Sequence, residues 1–402
     1  MKIGLDAFVL QYELSGIGNY TLQMILNLQK YFPEHEYGLY IEKDTLSETL
    51  YADLITKKFT FENLEITKFS SFFFLNKFYK YTRDRLLPIP FVKEHLQFAL
   101  RYPSLYSIHE SKKDSPDVFH AVDWLFIPNK KAKKNVITIF DLTARLFPNL
   151  HDELSILKEK EKQKELKYFD TFICISESTR NDLIHYYSIP KDRTLVSYPC
   201  VHPIYETESY LPEIEIRKKY AIPEDSPYFL SVSTIEPRKN LKRVLEAFAL
   251  FTEKHAKEKT YLVLVGAWAW KNEIFKKFLE SYSYRDRLIF TGYASLSDLP
   301  SLYHYATCFL YLSLYEGFGL PVLEAMHSKT PVIASNISSI PEILSGAGIL
   351  VSPANTEEVF TAMETIFHKE EYRKQLIQLG KEKAKTFNSK KSSEEIIRAY
   401  CE

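Results

Sequence analysis

The order of apolar segments constrains this chain most, because short runs of strand length alternate with periodic segments of helical length in both halves. In the first half, the strand Lys2–Asp6 leads through Ser15-Gly-Ile-Gly-Asn19 into a helix from about Tyr20 to Tyr31. In the second half, the strand Tyr228–Thr234 leads into a helix from Leu241 to about His255. Such alternation favours parallel sheets with helices on both faces. We therefore predict an α/β protein with two doubly wound, Rossmann-like domains that face each other across a cleft.

Later segments continue the alternation. The further predicted strands are Asp117–His120, Val136–Phe140, Thr171–Ile175, Tyr261–Val265, Leu288–Phe290, Cys308–Leu312 and Pro331–Ala334. Ser176 and Asn240 stand where each could cap a helix that follows a strand.

Prolines mark the boundary between the halves, because five of them lie within residues 198–227, where no long periodicity is visible. We predict an N-terminal domain over 1–200, a linker over 201–227 and a C-terminal ligand-binding domain over 228–387. A C-terminal helix at about 388–402 is expected to join the first domain.

Composition and charge exclude several classes of protein. The 402 residues carry a formal net charge of zero, which gives no global attraction to nucleic acid. The four cysteines form no CxxC pair, which predicts reduced thiols in the cytoplasm rather than a disulfide framework or a zinc site. The first residues already read as a strand, and no apolar run reaches 18 residues, so neither a signal peptide nor a spanning helix is expected.

One segment, residues 68–101, combines aromatic residues with seven Lys or Arg and two acidic residues. This mixture suits peripheral contact with the inner membrane face or a polyanionic acceptor. The alternative, which we favour, is an ordinary pair of helices packed on the first sheet with solvated cations.

The segment Glu316-Gly-Phe-Gly-Leu-Pro-Val-Leu-Glu324 places two carboxylates eight residues apart around a glycine loop. Pro321 suits the first position of a helix. Gly317 and Gly319 allow close backbone approach and leave N–H groups near a positive helix end, which is a seat for an anion. An anion seat between two hydroxyl-accepting carboxylates suits a sugar joined to a nucleotide diphosphate. The alternative is a capped amphipathic helix with solvated glutamates.

Arg238 and Lys239 follow the first strand of the second half, at the carboxyl end where doubly wound folds bind ligands. Two cations there could neutralise a diphosphate leaving group, although a solvated cationic turn is the alternative. Gly266 ends another strand, and Tyr293 follows Gly292 at the end of a third, so both are candidates on the donor side.

The chain contains no Asp-x-Asp pair. Enzymes that hold a diphosphate through a divalent metal use such carboxylates, so the sequence favours Arg, Lys and backbone amides in that role. We expect no catalytic metal and no cofactor, with the nucleotide sugar as a substrate.

The motifs resemble those of retaining glycosyltransferases of the GT-B fold, family 4, over nearly the whole chain. They are most similar to bacterial mannosyltransferases of polysaccharide biosynthesis. The matching pieces are Ser15-Gly-Ile-Gly18, Asp117-Val-Phe-His120, Ser176-Glu-Ser-Thr-Arg180, Glu236-Pro-Arg-Lys-Asn240 and Glu316-Gly-Phe-Gly-Leu-Pro-Val-Leu-Glu324.

The resemblance implies donor-side roles for several residues. Arg238 and Lys239 would grip the diphosphate. Glu316 would meet the hydroxyls of the donor sugar, and Glu324 would accept hydrogen bonds from the ribose. The backbone amides that would help to hold sugar or phosphate are those of Phe318, Gly319 and Leu320.

In the first domain, the resemblance implies that Gly16 and Gly18 let a loop close over the diphosphate. His120 would lie under the donor sugar near the reacting centre; the alternative is a hydrogen-bonded histidine at a strand end. Asp141 is a candidate on the acceptor side, with capping of the following turn as its alternative.

The implied enzyme is a retaining, metal-independent hexosyltransferase. It would move a hexose, with mannose as the best match, from GDP-mannose or a UDP-sugar to a glycan or lipid-linked acceptor in polysaccharide or lipopolysaccharide synthesis. The open alternatives are glucose or N-acetylhexosamine donors, and a sugar phosphorylase or sugar-phosphate synthase. A dinucleotide-dependent oxidoreductase is disfavoured because Ser15-Gly-Ile-Gly18 lacks the full GxGxxG pattern.

Overall fold

The computed structural model describes residues 1–11, 16–40, 115–122, 128–151, 153–269 and 271–402. The aromatic and basic segment 68–101, with its two alternative interpretations, lies outside the described residues.

The first sheet has six strands in the order β2-β1-β3-β4-β5-β6. Neighbours β1 and β2, β1 and β3, and β3 and β4 pair in parallel. The strands are β1 Lys2–Asp6, β2 Glu36–Tyr40, β3 Val118–Ala121, β4 Lys134–Ile139, β5 Thr171–Cys174 and β6 Thr194–Val196.

The second sheet also has six strands, in the order β12-β11-β10-β7-β8-β9, and all its pairs are parallel. Strands buried on both faces read as nearly continuous apolar runs, as in the sequence Tyr-Leu-Val-Leu-Val of β8. The strands are β7 Tyr228–Val232, β8 Tyr261–Val265, β9 Leu288–Gly292, β10 Cys308–Tyr311, β11 Val332–Ser335 and β12 Ile349–Val351.

Helices follow most strands, as the sequence predicts. They are α1 Gly16–Tyr31, α2 Thr143–Leu146, α3 Glu153–Glu165, α4 Glu177–Tyr187, α5 Glu213–Lys219, α6 Leu241–Lys254, α7 Glu273–Glu280, α8 Leu299–His304, α9 Leu320–His327, α10 Ile340–Leu344, α11 Thr356–His368, α12 Glu370–Ala384 and α13 Ser389–Cys401.

Aromatic side chains fix two of these helices on the second sheet. Phe229 of β7 packs edge to face with Phe251 of α6, with ring centroids 5.0 Å apart. Phe251 packs in the same way with Phe367 of α11, at 5.1 Å. Each such pair adds about 0.5–1.5 kcal/mol beyond the burial of its surface. The C-terminal halves of α6 and α11 are therefore held together through a shared aromatic contact.

The predicted fold class is confirmed, but the sequence prediction lacked three strands. Of these, β6 and β12 have only three residues each, shorter than the run that periodicity can distinguish. The third, β2, is only partly buried, and its sequence Glu-Tyr-Gly-Leu-Tyr has no strong apolar run.

The two predicted helix caps have different outcomes. Ser176 caps α4 as predicted, because its Oγ accepts a hydrogen bond from the Thr179 amide at 3.0 Å. Asn240 does not cap α6, since its backbone is left-handed with φ of 54°. Its Nδ2 instead donates to the carbonyl oxygens of Leu312 and Pro353, at 3.1 and 2.9 Å. Asn240 thus ties the start of α6 to two loops at the end of the sheet.

The first helix begins earlier than predicted, at Gly16 rather than at about Tyr20. Gly16 and Gly18 therefore lie in the first turn of α1 and not in a loop before it. The two glycines do not prevent the helix from forming, because they lie in its first turn. The first four amides of any helix lack partners within the helix. Residues 12–15 of the loop before α1 lie outside the described residues, so the predicted closure of this loop over the diphosphate stays a prediction.

Contacts divide the chain into two compact units. One comprises Met1–Thr138, Glu161–Ile173 and Ile396–Glu402, and the other comprises Ile139–Lys160 and Cys174–Glu395. The domain limits proposed above, 1–200, 201–227 and 228–387, stay a prediction.

Among the helices that the structure describes, none has both the length and the apolar character needed to cross a membrane.

Candidate active site at the second sheet

Two basic side chains lie in the short 3-10 helix Pro237–Lys239, which links β7 to α6. Arg238 donates from Nη1 to Glu316 Oε2 at 2.8 Å and from Nη2 to Glu236 Oε1 at 2.6 Å. Lys239 Nζ donates to Glu316 Oε1 at 2.6 Å. Only 15% and 11% of the two cationic side chains are exposed. The structure thus brings together three of the predicted site residues.

The carboxyl group of Glu316 is held between the two cations. Burial alone would raise the pKa of Glu316, but the charges of Arg238 and Lys239 outweigh burial and lower the pKa to about 2. Glu316 is therefore a carboxylate at neutral pH. With Glu236 also paired to Arg238, the two cations face two carboxylates, and each buried charge is compensated. An incoming anion would share these cations with the protein's own carboxylates.

The loop after β10 presents backbone amides at the start of α9. The hydroxyl of Ser339 donates to the carbonyl oxygens of Glu316 and Phe318, and Ser338 Oγ accepts from the Glu316 amide at 3.0 Å. Unpaired amides at a helix start form an anion seat. Among the hydrogen bonds of the described residues, none has the backbone amide of Phe318, Gly319 or Leu320 as its donor.

Helix α9 begins at Leu320, so Pro321 is its second residue rather than its first. Gly319 has φ of +130°, a backbone conformation that side-chain-bearing residues rarely adopt. A Cβ at Gly319 would also lie 2.7 Å from Cδ1 of Ile340. The glycine is therefore required by its backbone conformation, and any larger residue would also displace the side chain of Ile340.

Asp141 lies against this loop. A Cβ added to Gly317 would lie 2.9 Å from Cβ of Asp141 and 2.0 Å from the carbonyl oxygen of Phe140. Asp141 Oδ1 also accepts hydrogen bonds from the amide and the hydroxyl of Thr143, at 2.9 and 2.5 Å. The structure thus shows the capping of the following turn that was the alternative interpretation. It also places the candidate acceptor-side residue next to the glycine loop.

Glu324 lies one turn inside α9, as predicted. The hydroxyl of Tyr303 donates to Glu324 Oε2 at 3.0 Å. Burial raises the pKa of Glu324 to about 7, although the hydrogen bond from Tyr303 opposes the change. Glu324 is thus balanced between its acid and carboxylate forms near neutral pH, and only the carboxylate can accept hydrogen bonds with both oxygens.

Two further donor-side candidates end neighbouring strands. Gly266 has φ of +144°, and a Cβ there would lie 2.0 Å from the carbonyl oxygen of Ser233. The structure thus gives Gly266 a packing reason that needs no ligand. Tyr293 directly follows β9 and is 77% exposed, so its ring has no role in the protein core.

The structure does not fit the predicted role of His120. This residue of β3 belongs to the other compact unit and is completely buried. Its Nδ1 and Nε2 each lie 2.7 Å from a hydroxyl oxygen, those of Tyr400 and Thr138. Burial lowers the pKa of His120 to about 3, so the ring is neutral. Because both ring nitrogens have protein partners, the structure agrees with the alternative, a hydrogen-bonded histidine in a strand.

Sequence reasoning missed three residues that shape the site. Glu236 pairs with Arg238, and its place two residues earlier in the same motif was an available signal. Tyr315, directly before Glu316, donates a hydrogen bond to Asp182 of α4. Desolvation raises the pKa of Asp182. No local pattern could have paired Asp182 with Tyr315, because 133 residues separate them.

The arrangement can bind a phosphate-bearing ligand with hydroxyl groups, since the two cations after β7 contact the loop after β10 that carries Glu316 and the free amides. Residues 212–383 match the family described as glycosyl transferases group 1. This part of the chain is a glycosyltransferase group 1 domain. The predicted resemblance to glycosyltransferases is thereby confirmed, and the matched residues contain Arg238, Lys239, Glu316 and Glu324.

Curated relatives agree with this result. The O-antigen chain mannosyltransferase B of Escherichia coli is 25% identical over 403 residues, which cover 100% of this chain and 99% of that protein. The serotype-specific mannosyltransferase WbdA of Escherichia coli is 30% identical over 218 residues. That match covers 54% of this chain and only 26% of WbdA, so the matched half of this chain corresponds to about a quarter of that longer protein.

Solved structures confirm the GT-B architecture. The structure of Anabaena Alr3699/HepE in complex with UDP and glucose has a TM-score of 0.68 and 17% sequence identity, and the match covers 99% of this chain and 98% of that one. At this level of identity the likeness concerns the fold.

Proposed function

We propose that this protein is a retaining, family 4 type hexosyltransferase of polysaccharide synthesis, which transfers mannose from GDP-mannose to a glycan or lipid-linked acceptor. The full-length similarity to an O-antigen mannosyltransferase supports the donor sugar and the class of acceptor. A UDP-sugar is the alternative donor. We further propose that transfer takes place on the cytoplasmic side, with at most peripheral contact with the membrane.

The observation that carries the proposal is the pairing of Arg238 and Lys239 with Glu316 beside the free amides at the start of α9. Two cations and a helix start suit a diphosphate, because both stabilise negative charge in a site of low exposure. Glu316 would then bind the sugar hydroxyls, and Glu324 would accept from the ribose.

In the proposed reaction, the bond between the anomeric carbon and the diphosphate oxygen breaks, and a bond to the acceptor oxygen forms on the same face of the sugar. The acceptor's proton moves to the departing phosphate oxygen, so no protein base is required. Arg238, Lys239 and the loop amides stabilise the charge that develops on the phosphate. Asp141 is proposed to orient the acceptor, because its Cβ lies against the glycine loop.

No catalytic metal and no cofactor are part of the proposal. The diphosphate is proposed to bind to basic side chains and amides, and the reaction should therefore proceed in the presence of EDTA. His120 is left out of the proposed catalytic residues because both of its ring nitrogens are occupied.

The proposal is tested first by thermal-shift measurements with GDP-mannose, UDP-glucose and UDP-GlcNAc. A ligand at 100 times its dissociation constant stabilises the folded protein by about 2.7 kcal/mol. GDP-mannose should stabilise the protein most. Proton NMR of the product then gives the anomeric configuration, and inversion would exclude the proposed mechanism.

Variants at the site complete the test. Lys239→Ala and Glu316→Ala should abolish turnover while circular dichroism shows folded protein. Lys374→Ala is a matched control, because Lys374 forms only exposed ion pairs on α12. Wild-type rates in both site variants would refute the assignment, and an obligatory phosphate or phosphosugar substrate would favour a phosphorylase or sugar-phosphate synthase.

A further inference from the structure

Three side chains with metal-binding atoms meet at the C-terminal ends of α6 and α11. They are His255, Glu364 and His368, and their ligand atoms all lie within 4.8 Å of one another. His255 Nε2 is 2.8 Å from Glu364 Oε1. The ring centroids of His255 and His368 are 4.7 Å apart. Two imidazoles and one carboxylate form a ligand set that divalent transition metals favour.

The fold positions each of these groups. His255 is the residue that follows the last turn of α6, and its ring packs against Phe251 with centroids 4.7 Å apart. Glu364 and His368 are four residues apart on α11 and therefore lie on the same face of that helix. Only 13% and 20% of the side chains of His255 and Glu364 are exposed. Two of the three ligands are thus held in place by packing.

Charge at this position favours a cation. The C-terminal ends of α6 and α11 meet here, and each contributes the negative end of its helix dipole. The ammonium group of Lys254 forms an ion pair with Glu364 here, with Nζ 2.7 Å from Oε1. Because 58% of the Lys254 side chain is exposed, it can move into solvent and leave Glu364 to a metal ion.

We propose that His255, Glu364 and His368 bind one divalent transition-metal ion, with Zn²⁺ as the reference ion. Zinc bonds to imidazole nitrogen and carboxylate oxygen are about 2.0–2.2 Å long, so the ligand atoms of a tetrahedral ion lie about 3.3–3.5 Å apart. His255 Nε2 and Glu364 Oε1 must therefore separate slightly from their present 2.8 Å, and the ring of His368 must move into the same range. His368 is exposed at the end of α11 and can make this adjustment. The fourth coordination position is open to water.

The site is separate from the candidate active site. Helix α6 begins two residues after Lys239 and has 14 residues, so its length puts about 20 Å between the two sites. The metal therefore takes no part in the proposed sugar transfer. It connects the ends of α6 and α11 and stabilises this unit of the protein against unfolding.

The test uses the full-length protein, freed of metal with EDTA and dialysed into a non-chelating buffer. Titration with ZnCl₂ is followed by calorimetry, and substitution by Co²⁺ is followed by its visible absorption. Wild-type protein should bind one equivalent at this site and unfold at a higher temperature with Zn²⁺ than without. His368→Ala and Glu364→Gln should each weaken Zn²⁺ binding by at least about 100-fold, which is the upper end of the loss caused by removing an outer hydrogen-bond partner.

Two further variants separate coordination from general effects on folding. His368→Asp replaces one ligand type by another and should restore part of the affinity that His368→Ala loses. His185→Ala is the matched control, since His185 is an exposed histidine in the last turn of α4 and lies outside the cluster. It should bind Zn²⁺ as the wild type does. If wild-type protein binds no Zn²⁺, or if His368→Ala and Glu364→Gln both retain wild-type affinity, the proposal is wrong.

Discussion

The carbonyl oxygen of Phe140 lies where a Cβ on Gly317 would be, only 2.0 Å from that ideal position. Thr179 reinforces this contact, because its hydroxyl lies 3.3 Å from the Phe140 carbonyl oxygen and 3.2 Å from that of Gly317. The loop that carries Glu316 is therefore held against the strand end that carries Asp141. This contact links the candidate anion seat to the candidate acceptor side.

Gly317→Ala should therefore lower activity strongly, by about 100-fold, because a displacement of even 1 Å at a reacting centre has an effect of that size. The backbone of Phe140 and the Cβ of Asp141 cannot make room as the end of a flexible side chain could. Activity and thermal stability are measured together. Gly38→Ala serves as the control, since its Cβ would meet only an ordinary contact of 3.9 Å with the Ile3 carbonyl oxygen. Equal activities for the two variants would contradict the interpretation.

Arg238→Lys should reduce kcat by about 100-fold and leave the protein folded. The guanidinium reaches Glu236, Glu316 and the Tyr315 carbonyl oxygen at once, which a single ammonium group cannot do. Loss of one group that stabilises transition-state charge has an effect of about 10²–10³ on kcat. Steady-state kinetics with the preferred donor give the result. The exposed pair on α12 offers a control, since Lys374→Arg should leave kcat unchanged.

Much of the fold and part of the site could be predicted because the signals are local. The glycine loop and its two glutamates lie within nine consecutive residues, and most strands are apolar runs of four or five. Other features depend on distant partners. Tyr400 bonds to His120 across 280 residues, and Leu312 and Pro353 take the side chain of Asn240 away from helix capping. The local sequence around His120 and Asn240 does not indicate these distant partners.

A carboxylate from α10 holds the start of α4, and its loss should destabilise the protein. Glu342 accepts hydrogen bonds from the amides of Glu177 and Ser178 at 2.8 and 2.7 Å, and from the Tyr198 hydroxyl at 2.9 Å. Glu342→Gln removes the charge and one amide partner, so the free energy of unfolding should fall by about 1–2 kcal/mol. Urea unfolding measures the change.

Glu371→Gln is the control for that substitution, because Glu371 is a glutamate in the first turn of α12 whose side chain is 88% exposed. Its free energy of unfolding should remain within about 0.5 kcal/mol of the wild type. If Glu342→Gln and Glu371→Gln lower the free energy of unfolding equally, the hydrogen bonds of Glu342 do not stabilise the start of α4.

Nucleotide affinity should rise with pH up to about 7 and then level off. The pKa of Glu324 is raised to about 7 by burial, so below pH 7 the free protein must release a proton before the carboxylate can bind a ribose. The dissociation constant should therefore rise about tenfold for each unit by which the pH falls below 7. Calorimetry with GDP and UDP between pH 5.5 and 8.5 measures it. Glu324→Gln should bind the nucleotide more weakly, and its affinity should not change with pH. If the affinity of this variant still depended on pH, another titrating group would be responsible.

The same group affects folding in the opposite direction. Between its ordinary value near 4.5 and about 7, the folded protein keeps a proton on Glu324 that the unfolded chain has released. Its contribution to stability is therefore full below pH 4.5 and declines as pH rises to about 7. Glu324→Gln removes this decline, so the difference in urea midpoint between variant and wild type should grow from pH 4.5 to pH 7.

Tyr303→Phe should move the pH dependence of nucleotide binding upward by about one unit. The hydroxyl of Tyr303 donates to Glu324 Oε2 at 3.0 Å and so stabilises the carboxylate form. A hydrogen bond to a charged group contributes about 1.5 kcal/mol or more, which corresponds to about one pKa unit. Tyr282→Phe is a suitable control, because that buried hydroxyl donates instead to the Leu245 carbonyl oxygen. The control should lose stability but keep the midpoint near pH 7. An unchanged midpoint in Tyr303→Phe would show that the titrating group is not Glu324.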